Sequence, residues 1–126
     1  MRAKNLDDVV VYQKAMAAGD AVSALLERPI FCKDFNLKKQ LSEASDCVGP
    51  LIAEGFGQTT DRHLATYLGR ARGSSLEMQA HLRKALRKKF ISKSEFTDFT
   101  LRYVEIVKML TSWMKYLRDS DWDNRG

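Results

Sequence analysis

The chain lacks much of what other fold classes and many function classes require. Its two cysteines, Cys32 and Cys47, are too few for a disulfide framework in 126 residues, and neither has partners at zinc-site spacing. Free thiols in a reducing compartment are therefore expected, Cys32 in a loop and Cys47 packed. Two prolines and seven glycines leave little room for a hairpin-rich protein, and no Asn-Gly or Asp-Gly turn occurs. No apolar run approaches the roughly 20 residues of a membrane span. The opening residues Met1 to Asp8 hold no apolar core of a signal peptide. A cytoplasmic protein without a membrane segment is the expectation.

What is present is helical periodicity throughout. A first helix is predicted over about 7–27, with Val9, Tyr12, Met16, Gly19, Ser23 and Leu26 in one stripe. Val11, Ala15, Ala18, Val22 and Leu25 form a second stripe beside it. Together they make a face wider than one neighbouring helix needs. A second helix, 36–56, starts at Asn36 as N-cap and buries Leu37, Leu41, Ala44, Val48 and Ile52, with a kink expected at Pro50. A third, 60–90, is capped by Thr59 or Thr60 and aligns Leu64, Leu68, Ala71, Met78, Leu82 and Ala85. A fourth, 92–118, opens on the capping box Ser92-Lys93-Ser94-Glu95 and carries Phe96, Phe99, Tyr103, Ile106, Leu110 and Leu117. Four amphipathic helices with short loops predict an all-α fold. The expected form is an antiparallel up-down four-helix bundle in one domain, 1–126.

The net charge of +5 is unevenly placed. Residues 1–35 and 91–126 are each neutral, 36–59 carry −1, and 60–90 carry +6. On a helical wheel Arg62, Arg70, Arg72, Arg83, Lys84, Arg87 and Lys88 lie opposite the apolar stripe of the third helix. Such a one-signed face suits phosphate contact. It equally suits a solvated helix end, since cations favour a helix C-terminus. No aromatic residues interleave this run, so backbone or shape recognition is the sharper form of the first reading.

Two segments place glycine beside a glutamate inside helical stretches: Ile52-Ala53-Glu54-Gly55 and Gly73-Ser74-Ser75-Leu76-Glu77. A glycine in a helix interior costs about 1 kcal/mol against alanine, so each asks for a packing or functional reason. Glu54 and Glu77, with His81 one turn on, could form a buried acid pair or a metal site. A di-iron bundle needs Glu-x-x-His on two helices, whereas Glu77 to His81 is an i to i+4 pair and the chain has one such pair. The structural reading is that each carboxylate accepts hydrogen bonds that fix the end of the second helix or a subunit contact. Gly73, Ser74 and Ser75 lack the strand and spacing of a phosphate loop, and read as small residues that admit another helix. Trp113, Tyr116 and Trp122 read as core or interface packing. No metal, cofactor or catalytic residue is assigned.

These segments also carry a resemblance. Leu6 to Ala15, Phe35 to Leu41, Ile52-Ala53-Glu54-Gly55, Gly73-Ser74 with Glu77, and Phe90-Ile91-Ser92 follow one another as in one known family. The chain thus resembles the four helix bundle proteins also called 23S rRNA-intervening-sequence or S23 proteins. It departs from them at Leu51, where Asn is usual, at Tyr12, where Trp is common, and at Glu43, where a basic residue is common. The resemblance implies a cytoplasmic homo-oligomer, often a pentameric ring, without demonstrated enzyme activity. It also implies a link to ribosomal RNA or ribosomes, suggested mainly by where some of the genes lie. The expectation is a non-enzymatic interaction protein that binds RNA or another nucleic acid through the third helix. The alternative is a scaffold or adaptor for a protein partner with no nucleic-acid binding.

Overall fold

In a computed structural model the described residues, 4–120, form helices joined by short turns, with no strand among them. A single 3-10 turn, Leu6–Asp8, precedes α1 (Val10–Leu25). Five residues of 3-10 helix, Pro29–Lys33, lead into α2 (Phe35–Phe56). Then come α3 (Asp61–Arg87) and α4 (Lys93–Ser120). The four form a bundle in which α3 packs against α2 and α4, and α1 packs more lightly against the same two.

The helix ends show which local signals decide. Ser92 and Glu95 form the expected capping box: Glu95 N–H donates to Ser92 Oγ (3.1 Å) and Ser92 N–H to Glu95 Oε1 (2.9 Å). Thr60 caps α3 by accepting from the His63 amide at 3.2 Å. The cap of α2 is Asp34 and not Asn36: its Oδ1 accepts from the Leu37 amide at 3.0 Å. The first helix starts later than expected, because extended Val9 separates Asp7 and Asp8 from α1. The α2 helix runs through Pro50, whose ring faces solvent.

The core holds the expected stripes of α2, α3 and α4. In α1 the stripe Val11, Ala15, Ala18, Val22 and Leu25 is buried, whereas the other stripe is divided. Val9 and Leu26 are buried, and Met16 and Ser23 are exposed. Tyr103 is fully buried on α4, and burial raises its phenol well above the usual tyrosine range.

The α3–α4 junction closes with a Schellman motif. Phe90 N–H donates to Ala85 O (3.0 Å) and Lys89 N–H to Leu86 O (2.9 Å). This places Lys89 at φ 63°, a left-handed conformation that glycine adopts without cost. Lys89→Gly is therefore expected to stabilise the chain by about 0.5–1 kcal/mol, read as a raised urea midpoint with an unchanged slope.

Candidate nucleic-acid interface

The basic side chains of α3 sit on a helix whose inner face is fixed by burial of Leu64, Leu68, Ala71, Met78, Leu82 and Ala85. The remaining faces therefore point to solvent or to the two flanking helices. Arg62, Arg70, Arg83, Arg87 and Lys88 are exposed, and Arg72 and Lys84 are half-buried. They do not form one patch. Arg72 and Arg83 lean toward α4: Arg72 Nη1 donates to Thr111 Oγ1 at 3.3 Å, and the Arg83 guanidinium lies 5.2 Å from the Phe96 ring centroid. Lys88 leans toward α2 and pairs with Asp34 at 2.8 Å. Arg70 lies over Tyr67, on its own helix, at 5.2 Å. Arg83, Lys84, Arg87 and Lys88 crowd the last turns of α3, while Arg62 stands at the opposite end of the helix.

Tertiary structure adds cations that the helical wheel of α3 does not contain. Between α3 and α4 a groove of about 250 Å³ is lined by Arg72, Thr111, Met114, Lys115 and Arg118. At the other end of α3, the Lys88–Asp34 pair joins it to the start of α2, where Lys33 and Lys39 are exposed. No sequence signal links positions 34 and 88, so these additions were illegible in the chain itself.

That end of the bundle is tied by three contacts. Phe31 and Phe90 meet edge to face, centroids 5.4 Å apart. Arg28 holds Glu95 with both terminal guanidinium nitrogens: Nη1 donates to Oε1 at 3.0 Å and Nη2 to Oε2. The Arg28 hydrogen bonds, followed by the Ser92 amide, lower the Glu95 carboxyl to about 2. Asp34 is likewise lowered, first by Lys88 and then by the Leu37 amide.

A model of the family described as 23S rRNA-intervening sequence protein matches residues 7–112. The chain belongs to this family. It is also similar to a solved structure from Bacteroides thetaiotaomicron, a protein with unknown function from the S23 ribosomal protein family. That likeness has a TM-score of 0.79 at 21% identity and covers 83% of this chain and 98% of the other, so it speaks for the fold. No curated protein matches the chain.

The family's signature residues meet the expectation in part: Ile52 and Gly55 do, and Glu54, Gly73 and Glu77 do not. Ile52 is buried, Ala53 is half-buried and Gly55 is buried. Glu54 and Glu77, read as buried, are exposed on the single chain. Among the described residues neither carboxylate enters a hydrogen bond or ion pair. The end of α2 is held instead through its backbone carbonyls: Gln58 Nε2 donates to Glu54 O (3.1 Å) and Gly57 N–H to Ala53 O (3.2 Å). Gly73, read as a close-approach site, has nothing within 4 Å of an added Cβ; the close approaches lie on α2, at Gly49 against the flexible Met16 side chain and at Gly55 against Leu64 and Tyr67 of α3. Ser74 is half-buried, and Ser75 is buried with its hydroxyl donating to Ala71 O at 2.9 Å.

The other candidates divide similarly. Cys47, expected to be packed, is exposed, as is Cys32. His81 is half-buried and His63 exposed, and no three His, Cys, Asp or Glu side chains converge among the described residues. Trp113 packs on the core and Tyr116 is exposed, while Trp122 lies outside the described residues. No helix among the described residues is long and apolar enough to cross a membrane.

Proposed function

We propose that this chain is a non-enzymatic interaction protein that binds the phosphate backbone of RNA through the basic side of α3. The observation that carries this reading is the +6 of residues 60–90, borne by side chains that face away from the core. The family description, an rRNA-intervening sequence protein, points the same way. An antiparallel up-down order is supported by matched pairings, Arg72 with Thr111 and Arg83 with Phe96, as α3 and α4 run past each other. A cytoplasmic homo-oligomer, pentameric by family resemblance, would multiply the field of one helix by the number of copies.

Self-association is supported by Val10 and Met16 on α1, Leu76 on α3 and Leu101 on α4, all large apolar side chains exposed on the single chain. The same residues favour the second reading, a scaffold or adaptor that uses them for a protein partner and binds no nucleic acid.

Fluorescence anisotropy with structured RNA across a salt series separates the two. The triple change Arg83→Glu, Lys84→Glu and Arg87→Glu leaves the Lys88–Asp34 pair intact and is expected to weaken binding at least about tenfold. It should also flatten the dependence of log K on log salt by about 3, one unit per lost phosphate contact. No affinity at low salt, or affinity indifferent to these changes, sinks the RNA reading. Absolute mass in solution with the 260/280 nm absorbance ratio reports the oligomer and any co-purified nucleic acid.

A further inference from the structure

Phe35 is the most exposed large apolar side chain among the described residues, 70% accessible at the first position of α2. Core packing does not explain it, since Leu37 and Leu41 define the buried side of this helix and Phe35 falls almost opposite them. Lys38 and Lys39 follow at i+3 and i+4 and so flank the ring on the same outer face. Lys33 precedes it, exposed, on the 3-10 segment.

The α3 end reaches the residue directly before this ring. Asp34, directly before Phe35, pairs with Lys88 at 2.8 Å, and Lys84 also acts on the Asp34 carboxylate. At the far end of the same helix pair, Gly55 packs on Leu64 and Tyr67. Both contacts fit one register, which sets Lys38 at the level of Lys84. Of the carboxylates here, Asp34 is taken by Lys88. Lys33, Lys39, Arg87 and Lys89 are exposed and enter no ion pair among the described residues. An exposed ring at an end of the bundle where the start of α2 and the end of α3 both carry exposed cations outside any ion pair is complementary to a polyanion that also offers flat apolar faces.

We infer that Phe35 is a base-stacking platform and that the surface formed by the start of α2 and the end of α3 binds single-stranded nucleic acid, phosphates on the lysines and a base on the ring. This deepens the RNA reading above and rests on it. A duplex keeps its bases stacked inside and can use only the cations. An unpaired strand can use both, and stacking on an aromatic side chain is sequence-tolerant because every base has a flat face.

The test compares a labelled unstructured oligouridine with a blunt RNA duplex of equal phosphate number, by anisotropy on the full chain. Phe35→Ala is expected to weaken oligouridine binding roughly 5- to 150-fold, the range for loss of one stacked base. Duplex affinity and the salt slope should not move, and Phe35→Trp should keep or strengthen single-strand binding. Because Phe35 is exposed, Phe35→Ala should melt with the parent, which circular dichroism checks. Oligouridine affinity unaltered by Phe35→Ala, or equal losses for both probes, overturns the inference and leaves the RNA reading standing. Binding to neither probe by the unaltered chain overturns both.

Discussion

Gly55→Val is expected to destabilise the fold by about 3 kcal/mol, and Gly55→Ala by about 1–2, the range for overpacking a close contact less the gain in helix propensity. A Cβ built at Gly55 stands 2.9 Å from Tyr67 Cβ, 3.1 Å from Leu64 Cδ1 and 3.3 Å from Leu64 O. Two of these three atoms are fixed to the path of α3. Tyr67 Cβ moves only with its backbone, and Leu64 O is backbone. Leu64 is itself fully buried, so its side chain has nowhere to retreat. The helices must separate, which loosens contacts along their whole shared length. Alanine gains about 1 kcal/mol of helix propensity over glycine, and that offsets part of the cost. Valine adds two further carbons and a weaker propensity, so its cost is larger.

Gly73 is the internal control. It lies in a helix as Gly55 does, beside Ser74 and three residues before Leu76, yet nothing stands within 4 Å of its added Cβ. Gly73→Ala should therefore stabilise the single chain by about 0.5–1 kcal/mol. Urea titrations of both variants at matched protein concentration, needed because self-association shifts apparent stability, decide the pair. Equal effects of one sign would contradict the geometry. A Gly73→Ala chain that melts earlier and has a smaller mass in solution would place Gly73 against a helix of another subunit.

Local signals in the chain are legible where a single short segment decides the outcome. Ser92 and Glu95 satisfy each other three residues apart, and Thr60 needs only the amide of His63. They are ambiguous where two neighbours compete. Asp34 and Asn36 both suit an N-cap, and Asp34 wins where the chain leaves a 3-10 turn and Lys88 also reaches its carboxylate. Glu54 and Glu77 read as buried because glycines and apolar residues surround them. On α3, however, Met78 takes the core position, and the preceding residue is turned about 100° away from it.

The basic side of α3 was legible as charge alone. Its division was not, because it depends on which flanking helix each guanidinium meets. Arg83 finds Phe96 and Arg72 finds Thr111 through packing that no spacing within α3 encodes. The same limit hid Phe35. An aromatic residue far from the charge run in sequence is brought to the same end of the bundle by the Asp34–Lys88 pair.

Phe31→Ala is expected to have the largest effect of all, a loss of about 3–5 kcal/mol, as for other fully buried phenylalanines. Phe31 is 0% exposed, and it is the one buried side chain of the segment Pro29–Lys33. Its ring meets Phe90 at 77°, an edge-to-face pair worth about 0.5–1.5 kcal/mol beyond burial. Domains are stable by about 5–15 kcal/mol in total, so the loss should bring unfolding close to working temperature. The polar contacts around it cannot compensate. Arg28 and Glu95 are 44% and 28% exposed in their side chains, and such a pair contributes about 1 kcal/mol or less. Arg28→Ala should accordingly cost far less than Phe31→Ala, although both residues serve the same end of the bundle. A double-mutant cycle with Phe90→Ala should return a coupling of about 1 kcal/mol. A Phe31→Ala chain within about 1 kcal/mol of its parent would mean that the 3-10 segment does not close the core. Because Asp34 and Phe35 follow directly, Phe31→Ala should also weaken single-strand binding by loosening the platform, whereas Phe35→Ala should do so with stability unchanged. Comparing the two variants in one melting series and one binding series thus separates the residue that holds this end of the bundle from the residue that uses it.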